Sequence, residues 1–287
     1  MSIVYLNGDF LPIEQAHVSV LDRGFLLGDG IYEVIPAYGG RLFRLTEHLQ
    51  RLDNSLAAIQ LSNPKTSNEW QDMLEDLVQR NGVHDQSIYI QITRGVASKR
   101  EHHFPDNVIA TVFAMSNPIH IPELDLQQGY KAITHEDIRW KYCNIKAITL
   151  LPNVLLRQKA VEADAAEAIL IRNGKATEGA ASNLFIVRDK QLITPPKGGY
   201  ILPGITRDLI VELASHHNIP LCEKDISEQD LRHADEIWMS SSTREIIPIT
   251  QLDDQFVGDG KPGPLFRHMA ALYHDCREAL RNGEKNQ

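Results

Sequence analysis

The alternation of apolar and polar positions along the chain predicts both strands and helices. At the start, the apolar runs 3–6 and 10–13 flank Asn7-Gly8-Asp9, and Asn-Gly between two such runs is the strongest short-range signal of a β-hairpin. A glycine-rich stretch at 23–30 then leads into the β-branched run 31–36. We therefore expect tight backbone before a strand, as at the entrance of a site.

Helical periodicity begins with the segment 45–61, where apolar side chains recur three and four residues apart. A second helix is predicted to start at Thr66, because Glu69 three residues later completes a capping box, and to stop at Asn81-Gly82. Three later segments have the same periodicity: 153–165, 205–215 and 264–280. Six short apolar runs predict further strands: 87–94, 108–113, 130–134, 167–172, 183–187 and 236–239.

Prolines interrupt both periodicities between residues 116 and 124, where Asn117-Pro118 and Ile121-Pro122 follow each other closely. A boundary at this point divides the chain into a small N-terminal domain, 1–120, and a larger C-terminal domain, 121–287. Strands and helices occur on both sides of it, so each part is predicted to be an α+β or α/β lobe.

Composition adds the class of protein. Of 287 residues, 43% are hydrophobic and 23% are charged, which is typical of a globular chain with a substantial core. The 29 Lys and Arg against 38 Asp and Glu give a formal net charge of −9, which disfavours nucleic acid and anionic lipid as partners. Three scattered cysteines, no signal-peptide pattern and no apolar run near the roughly 20 residues of a membrane span predict a soluble cytoplasmic protein.

Several common catalytic motifs are absent from the sequence. The twelve histidines form no HExxH or other metal-ligand spacing, so no metal site is expected. The glycines around residue 28 match neither a dinucleotide-binding fingerprint nor a phosphate-binding P-loop. A serine-hydrolase elbow and the kinase motifs are missing as well.

Two stretches place an ionisable side chain in an unusual setting. Lys146 lies between Ile145 and Ala147-Ile148, and apolar neighbours can desolvate an amine and lower its pKa. Glu178 stands among small residues, ahead of Asn183 at the start of a strand, where a carboxyl group can point at a ring nitrogen. Taken singly, a solvated lysine and a turn are the commoner interpretations of these positions.

Two further stretches are suited to anions. In Leu202-Pro203-Gly204-Ile205-Thr206-Arg207 a glycine turn opens a helix, whose first N–H groups have no partner within the helix. Ser240-Ser241-Ser242-Thr243 follows a strand and offers hydroxyl and backbone N–H groups close together. Either stretch can form the cradle of a phosphate.

The order of these four motifs resembles that of the fold-type IV (class IV) pyridoxal-phosphate enzymes, and among them the D-amino acid aminotransferases. The resemblance extends from the hairpin at Asn7 to the region of Pro264 with few changes of length. It implies a two-lobed α+β enzyme, with a small N-terminal and a larger C-terminal domain and pyridoxal 5'-phosphate in the cleft between them. It also implies a homodimer whose active site lies near the subunit interface.

The resemblance implies a role for each motif. Lys146 matches the lysine that forms the Schiff base with the cofactor and carries the α-proton. Glu178 matches the acid that keeps the pyridine nitrogen protonated, so that the ring accepts electrons. Arg51 matches an arginine that pairs with the cofactor phosphate. The other implied cofactor contacts are Ser182, Asn183, Leu202, Ile205, Thr206, Ser241 and Ser242.

For the substrate, the resemblance implies that Tyr32 and an Arg-x-His pair, Arg100 and His102, hold the α-carboxylate. The loop that precedes this pair is one residue longer than the family pattern, so either His102 or His103 can face the site. Arg244, after the serine run, is bulkier than expected there and can touch the phosphate edge or a substrate side chain.

The implied activity is a ping-pong transamination between D-alanine, D-glutamate or D-aspartate and 2-oxo acids such as 2-oxoglutarate and pyruvate. Alternatives within the fold are a branched-chain L-amino acid aminotransferase and an aminodeoxychorismate lyase, against which the Arg100-x-His102 pair argues. Alternatives outside the class are a non-catalytic carrier of the cofactor and an unrelated α/β binding protein. The presence of both Lys146 and Glu178 disfavours the carrier, and the order of four motifs disfavours a chance match.

Overall fold

A computed structural model describes residues 2–82, 84–107, 109–119 and 128–283. Contacts between these residues divide the chain into two compact units. The first comprises the described residues of 1–120, 145–149 and 277–287, and the second those of 121–144 and 150–276. Part of the boundary that the sequence predicts between 116 and 124, namely 120–124, lies outside the described residues.

The second unit does not coincide with the C-terminal domain, 121–287, that the sequence predicts. The segment 145–149 groups with the first unit, because its backbone pairs with a strand there: the Tyr32 N–H donates to the Lys146 carbonyl oxygen over 2.9 Å. The described residues from 277 onward group with the first unit too. The backbone of Lys146 is therefore fixed by the N-terminal unit.

The first unit is built on one antiparallel sheet of six strands in the order β2-β1-β6-β5-β3-β4. Its strands are β1 (Ile3–Leu6), β2 (Asp9–Pro12), β3 (Gly30–Tyr38), β4 (Arg41–Leu42), β5 (Gln86–Thr93) and β6 (Thr111–Pro118). Its helices are a 3-10 turn at Ile13–Gln15, α1 (Arg23–Leu27), α2 (Leu45–Ala58) and α3 (Ser67–Asn81). The apolar stripes of α2 and α3 pack on the sheet in one core, in which Leu52, Trp70 and Ile90 are buried.

Two local predictions are confirmed in this unit. The first hairpin has a two-residue turn, because Leu6 pairs with Asp9 and both Asn7 (φ 51°) and Gly8 (φ 116°) adopt positive φ. Helix α3 starts at a complete capping box: the Thr66 hydroxyl accepts the Glu69 N–H, and the Glu69 carboxylate accepts the Thr66 N–H over 2.7 Å.

The glycine-rich stretch has the tight backbone before a strand that the sequence predicts, but it also forms a short helix, α1, that was not predicted. The Asp22 carboxylate caps this helix by accepting the Gly24 N–H over 2.7 Å. Gly28 ends it in the left-handed conformation (φ 66°), and a Cβ at this position would lie 2.6 Å from the Thr149 methyl group. Strand β3 then begins at Gly30.

Two boundaries also differ from the prediction. Helix α2 ends at Ala58 and not at 61, since Gln60 adopts positive φ (54°) and the Arg94 guanidinium binds the last carbonyl groups. Strand β6 runs from Thr111 to Pro118, later than the predicted 108–113, of which Val108 lies outside the described residues. Its proline is tolerated because it is the last residue of the strand.

The second unit contains a sheet of ten strands in the order β12-β11-β10-β14-β15-β7-β8-β9-β13, with β16 paired to β15. The strands are β7 (Tyr130–Glu136), β8 (Glu167–Arg172), β9 (Lys175–Gly179), β10 (Asn183–Arg188), β11 (Gln191–Thr194), β12 (Leu221–Glu223), β13 (Ile226–Ser227), β14 (Glu236–Ser241), β15 (Glu245–Leu252) and β16 (Gln255–Phe256). Strand β7 runs parallel to both β8 and β15, and β11 runs parallel to β12. Its helices are α4 (Leu151–Glu162), α5 (Ile205–His216), α6 (Glu228–Arg232) and most of α7 (Pro264–Arg281), whose residues from Arg277 onward group with the first unit.

Three observations bear on the class of protein. None of the helices in the described ranges is long and apolar enough to cross a membrane. The cysteines Cys143, Cys222 and Cys276 are free thiols. Within 2–82, 84–107, 109–119 and 128–283, no group of three His, Cys, Asp or Glu side chains is arranged to hold a metal ion.

Candidate active site

Lys146 is positioned by the edge of strand β3. The Ile148 N–H donates to the Gly30 carbonyl oxygen over 3.1 Å, and this bond adds to the one between Tyr32 and Lys146. The half-buried lysine places its Nζ atom 4.2 Å from the centroid of the Tyr32 ring, which stacks on Tyr89 at 5.7 Å. The structure thus brings together two of the predicted site residues, Lys146 and Tyr32.

Arg51 lies in the same unit and is held by a buried acid that the sequence analysis did not identify. Its Nε atom lies 2.7 Å from Oε1 of Glu33, and its Nη2 atom lies 2.8 Å from Oε2. His48 Nδ1 lies 2.9 Å from the same Oε2 atom. The helical spacing of His48 and Arg51 on α2 directs both side chains to Glu33 on the neighbouring strand β3.

Charge in this cluster follows from burial and pairing. Burial is the largest influence on Glu33 and by itself would raise the pKa of the carboxyl group, but Arg51 and His48 outweigh it and hold the pKa well below its usual range. Burial also lowers the pKa of His48, which keeps the ring neutral at pH 7. Glu33 and Arg51 therefore form a buried ion pair without net charge.

The predicted carboxylate-binding side chains lie on an exposed loop between β5 and β6. Arg100, His102 and His103 are all exposed, and His103 Nε2 lies 3.1 Å from Oε2 of Glu101. Glu101 also forms an ion pair with Lys99. In the part of the chain that the structure describes, no hydrogen bond, ion pair or ring contact joins the side chains of Arg100 and His102 to Tyr32 or Lys146.

In the second unit, Glu178 occupies the buried end of strand β9, where the sequence alone favoured a turn. One oxygen forms an ion pair with Arg139, and the other accepts the Asn183 amide (3.0 Å) and the Leu202 N–H (2.9 Å). Burial raises the pKa of Glu178 to about 7, although Arg139 and the Leu202 N–H favour the charged form. A carboxyl group with this pKa can hold or release a proton near neutral pH.

Arg139 contacts the candidate site, and the sequence analysis did not identify it. Its Nε atom lies 2.9 Å from Oδ1 of Asp137, and its Nη1 atom reaches Glu178. Arg172 binds Oδ2 of Asp137 at 3.1 Å and completes a buried network of two acids and two guanidinium groups. The Asp-x-Arg spacing at 137–139 was visible in the sequence, but only Lys146 of that stretch was singled out.

Helix α5 begins beside Asn183, and its N-terminal turn has no side-chain cap from the described residues. A Cβ at Gly204 would overlap Oδ1 of Asn183, so only glycine fits at this approach. Ile205 and Thr206 follow in the first turn, where backbone N–H groups point out of the helix. The structure thus places Asn183 beside the first turn of α5, which contains Ile205 and Thr206.

The serine run lies next to Asn183 on the neighbouring strand. Asn183 on β10 pairs in register with Ser240 on β14, and the buried Ser240 hydroxyl has no hydrogen-bond partner among the described residues. Ser241 pairs with Glu245, and Ser242 follows in the connecting turn. A buried hydroxyl without a partner is available to bind a polar group of a ligand.

The side chains of Ser182 and Arg244 both bind the carboxylate of Glu167. The Ser182 hydroxyl donates to the buried Glu167 carboxylate over 2.6 Å, so its proton is engaged within the protein. Arg244 lies 2.7 Å from the same carboxylate. Its guanidinium thus makes an ion pair with Glu167. A contact of Arg244 with the phosphate edge or a substrate side chain stays a prediction.

A family model described as amino-transferase class IV matches residues 30–252. A D-alanine aminotransferase from Staphylococcus haemolyticus is 42% identical over 270 residues, which cover 94% of this chain and 95% of that protein. A D-alanine aminotransferase from Bacillus licheniformis is 41% identical over 266 residues, which cover 93% of this chain and 94% of that one.

Branched-chain amino acid aminotransferases are among the solved structures with the same fold. The enzyme from Escherichia coli has a TM-score of 0.88 at 28% identity and covers 100% of this chain and 96% of that one. The T.th. enzyme, solved with pyridoxamine 5'-phosphate, has a TM-score of 0.89 at 27% identity and covers 96% of this chain and 93% of that one. These similarities confirm the fold-type IV class predicted from the sequence.

Proposed function

The chain belongs to the class IV aminotransferases, and we propose that it exchanges the amino group between D-amino acids and 2-oxo acids, with pyridoxal 5'-phosphate as its cofactor. D-alanine, D-glutamate and D-aspartate are the proposed donors, and pyruvate and 2-oxoglutarate the proposed acceptors. The observation that carries this proposal is the sequence identity of 41–42% to D-alanine aminotransferases over more than nine-tenths of the chain.

The residues of the second unit suit the ring and the phosphate of this cofactor. When bound, pyridoxal phosphate supplies an aldehyde that takes up the amino group and a protonated ring that accepts electrons from the substrate's α-carbon. Glu178, with its pKa near 7 and its firm hydrogen bonds, is suited to hold a proton at a ring nitrogen. The unpartnered Ser240 hydroxyl and the uncapped start of α5 at Ile205-Thr206 are suited to the phosphate.

The first unit would supply the amine. Lys146 is the residue that we assign to the covalent bond with the cofactor and to transfer of the α-proton. Its carbonyl oxygen and the N–H of Ile148 both bind β3, and only its flexible side chain has to move during such a transfer. Arg51 is the proposed phosphate ligand of this unit, already oriented by Glu33.

The remaining cofactor contacts are proposals of the same kind. Asn183 and the backbone of Leu202 both bind the Glu178 carboxylate, so they would orient the acid that faces the ring. Ser182 would act through Glu167, to which its hydroxyl donates a hydrogen bond. Ser241 and Ser242 would complete the phosphate cradle after β14.

For the substrate, the α-carboxylate would bind Tyr32, Arg100 and His102. Two observations support this assignment: Arg100 is exposed and has no ionic partner among the described residues, and His103 is directed to Glu101 instead. His102 is thus better suited than His103 to face a ligand. The proposal is tested by initial rates with D-alanine and 2-oxoglutarate, where a ping-pong enzyme gives parallel double-reciprocal lines and a non-catalytic carrier gives no pyruvate.

A branched-chain L-amino acid aminotransferase is the second candidate, because solved structures of that activity share the fold with TM-scores of 0.88 and 0.89. Their identity of 27–28% is well below the 41–42% of the D-alanine enzymes. An aminodeoxychorismate lyase of the same fold has no such support among these relatives.

The assembly and location are also proposals. Large apolar side chains are exposed in the first unit, among them Val20, Phe25, Val96 and Ile109. Exposed apolar area of this kind is suited to a second copy of the chain, so a homodimer is proposed. The cytoplasmic location predicted from the dispersed cysteines stays a prediction.

A further inference from the structure

We propose that Arg23, Asp29 and Arg94 act together as positioning residues for the loop 99–104 and thereby set the affinity of the enzyme for the substrate carboxylate. The inference rests on the proposed function, because this loop carries the side chains assigned to that carboxylate. All of these residues lie in the first unit. None of the three anchors was singled out by the sequence.

Arg23 binds the main chain of the loop and not its side chains. Its Nη1 atom donates to the carbonyl oxygen of Glu101 over 2.7 Å, and its Nη2 atom reaches the carbonyl oxygen of His102 at 3.4 Å. Its Nε atom lies 2.7 Å from Oδ2 of Asp29. With only 4% of the Arg23 side chain exposed, these bonds are shielded from water.

Arg94 shares the same carboxylate and holds the far end of the loop. Its Nε atom lies 2.9 Å from Oδ2 of Asp29, and its guanidinium carbon lies 3.7 Å from the centroid of the Phe104 ring. Its remaining donors bind the carbonyl oxygens of Gln60 (3.2 Å) and Ile59 (2.6 Å) at the end of α2. The partial negative charge of a helix C-terminus favours a cation there.

The loop is also tied at its base. The Arg23 N–H donates to the carbonyl oxygen of Gly95 over 2.9 Å, and the Ala97 N–H donates to that of Leu21 over 3.3 Å. A side chain at Gly95, with φ of 81°, would overlap the Ile109 carbonyl oxygen. The segment from 98 to 100 is therefore the part of the loop between two anchored ends.

The largely buried charges of Arg23, Arg94 and Asp29 favour this anchored position of the loop. Two guanidinium groups share the single carboxylate of Asp29, so Arg23 depends on the carbonyl groups of 101 and 102 for its other donors. If the loop left its position, buried donors of a cation would lose their partners, which is costly. Because the anchor binds carbonyl groups, the side chains of Arg100 and His102 stay free to bind a ligand.

The test is the substitution Arg23→Lys in the holoenzyme, read out in two independent ways. A lysine keeps the charge beside Asp29 but cannot bind the carboxylate and two carbonyl groups together. We expect hydrogen exchange of loop amides in 98–104 to accelerate and KM for D-alanine to rise, each about ten-fold. The value of kcat should stay within about three-fold of the wild type, because only substrate binding is affected. The cofactor absorbance should not change.

Arg80→Lys is the matched control, since Arg80 also forms an ion pair, with Asp76, and lies over an aromatic ring, that of Phe10. It should change neither the loop exchange nor KM. Phe104→Leu, at a half-exposed ring, should shift both readouts in the same direction as Arg23→Lys by about two- to five-fold. If Arg23→Lys does not fold, Phe104→Leu tests whether the anchored loop sets KM.

Unchanged exchange of the loop in folded Arg23→Lys overturns the anchor. Faster exchange with an unchanged KM overturns its role in substrate binding. If the wild-type enzyme does not use D-alanine at all, the proposed function has failed, and the exchange measurement alone still decides whether these residues hold the loop.

Discussion

The carboxylate of Glu33 binds the guanidinium of Arg51 through both of its oxygens, with Nε 2.7 Å from Oε1 and Nη2 2.8 Å from Oε2. Both side chains are buried, so the direction of the guanidinium is set before any ligand arrives. An arginine oriented in advance loses little side-chain entropy when an anion binds. The pair would thus orient Arg51 for the phosphate contact that we propose for it.

Replacing Glu33 with glutamine should destabilise the protein by about 3–5 kcal/mol at pH 7, because Arg51 is left as a buried cation without its partner. The folded protein holds the pKa of Glu33 far below the unfolded value of 4.5, so its contribution is present above pH 4.5 and is lost as the pH falls. The difference between wild type and Glu33→Gln should narrow below pH 4.5. Denaturant unfolding at a series of pH values measures it.

The control for this variant is Glu47→Gln on the same helix as Arg51. Glu47 pairs with Arg44 at 2.9 Å, but its side chain is 42% exposed. Water screens such pairs, so the substitution should change stability by less than about 1 kcal/mol. Equal effects of the two variants would contradict the buried ion pair as the source of stability.

Replacing Lys146 with alanine should abolish transamination, with a loss larger than the roughly 10²–10⁴-fold of a single acid–base group, because both the covalent attachment and the proton carrier disappear. Cofactor should still bind through the phosphate contacts. Borohydride reduction followed by peptide mass spectrometry should label residue 146 in the wild type. A label on another lysine would remove Lys146 from its role.

Glu178→Gln should retain cofactor but slow turnover by about 10²–10³-fold, since an amide cannot keep a ring nitrogen protonated. The pKa of Glu178 is raised from 4.5 to about 7 in the folded chain, so its protonated form contributes stability at low pH that is lost as the pH rises towards 7. In cofactor-free protein the stability of wild type should fall over this range more than that of Glu178→Gln. The exposed Glu162→Gln provides the control, and identical pH profiles of all three would contradict the raised pKa.

Local chemistry explains which elements the sequence predicted well. The hairpin at Asn7-Gly8 and the helix start at Thr66 depend on neighbouring residues alone, and both were correct. Strand β9 was missed because Lys175–Gly179 has no apolar alternation, and its extended form comes from pairing with β8 and β13. The placement of 145–149 in the first unit was missed for the same reason.

The candidate site shows the same division. Lys146, Glu178 and the start of α5 stand in recognisable motifs, so the sequence pointed to them. The ion pair of Arg139 with Glu178 joins residues 39 apart, and that of Arg51 with Glu33 joins residues 18 apart. Such pairs leave no local pattern, since they exist only once the strands that carry them have been packed.

Arg100→Ala should lower kcat/KM for D-alanine, because the charge-assisted bidentate hydrogen bonds to the carboxylate are lost. The loss should correspond to roughly 2–5 kcal/mol of binding free energy if the contact is shielded from water. Arg100→Lys should restore only part of it, since an ammonium group cannot bind two oxygens in the same way. Cofactor absorbance should not change. Unaltered kinetics in Arg100→Ala would move the carboxylate site elsewhere.

The two histidines of the loop give a comparison within the same segment. His102→Ala should raise KM for D-alanine, whereas His103→Ala should have little effect, because His103 is directed to Glu101 and is 73% exposed. A larger effect of His103→Ala than of His102→Ala would show that His103, and not His102, faces the substrate.

The most direct test of the proposed function compares two amino donors with the same acceptor. D-alanine with 2-oxoglutarate is followed by pyruvate formation, and L-leucine with 2-oxoglutarate by formation of the branched oxo acid, with one preparation of the enzyme. A D-amino acid aminotransferase should have a kcat/KM for D-alanine about a hundred-fold or more above that for L-leucine. A higher value for L-leucine would contradict the D-amino acid assignment and identify a branched-chain aminotransferase.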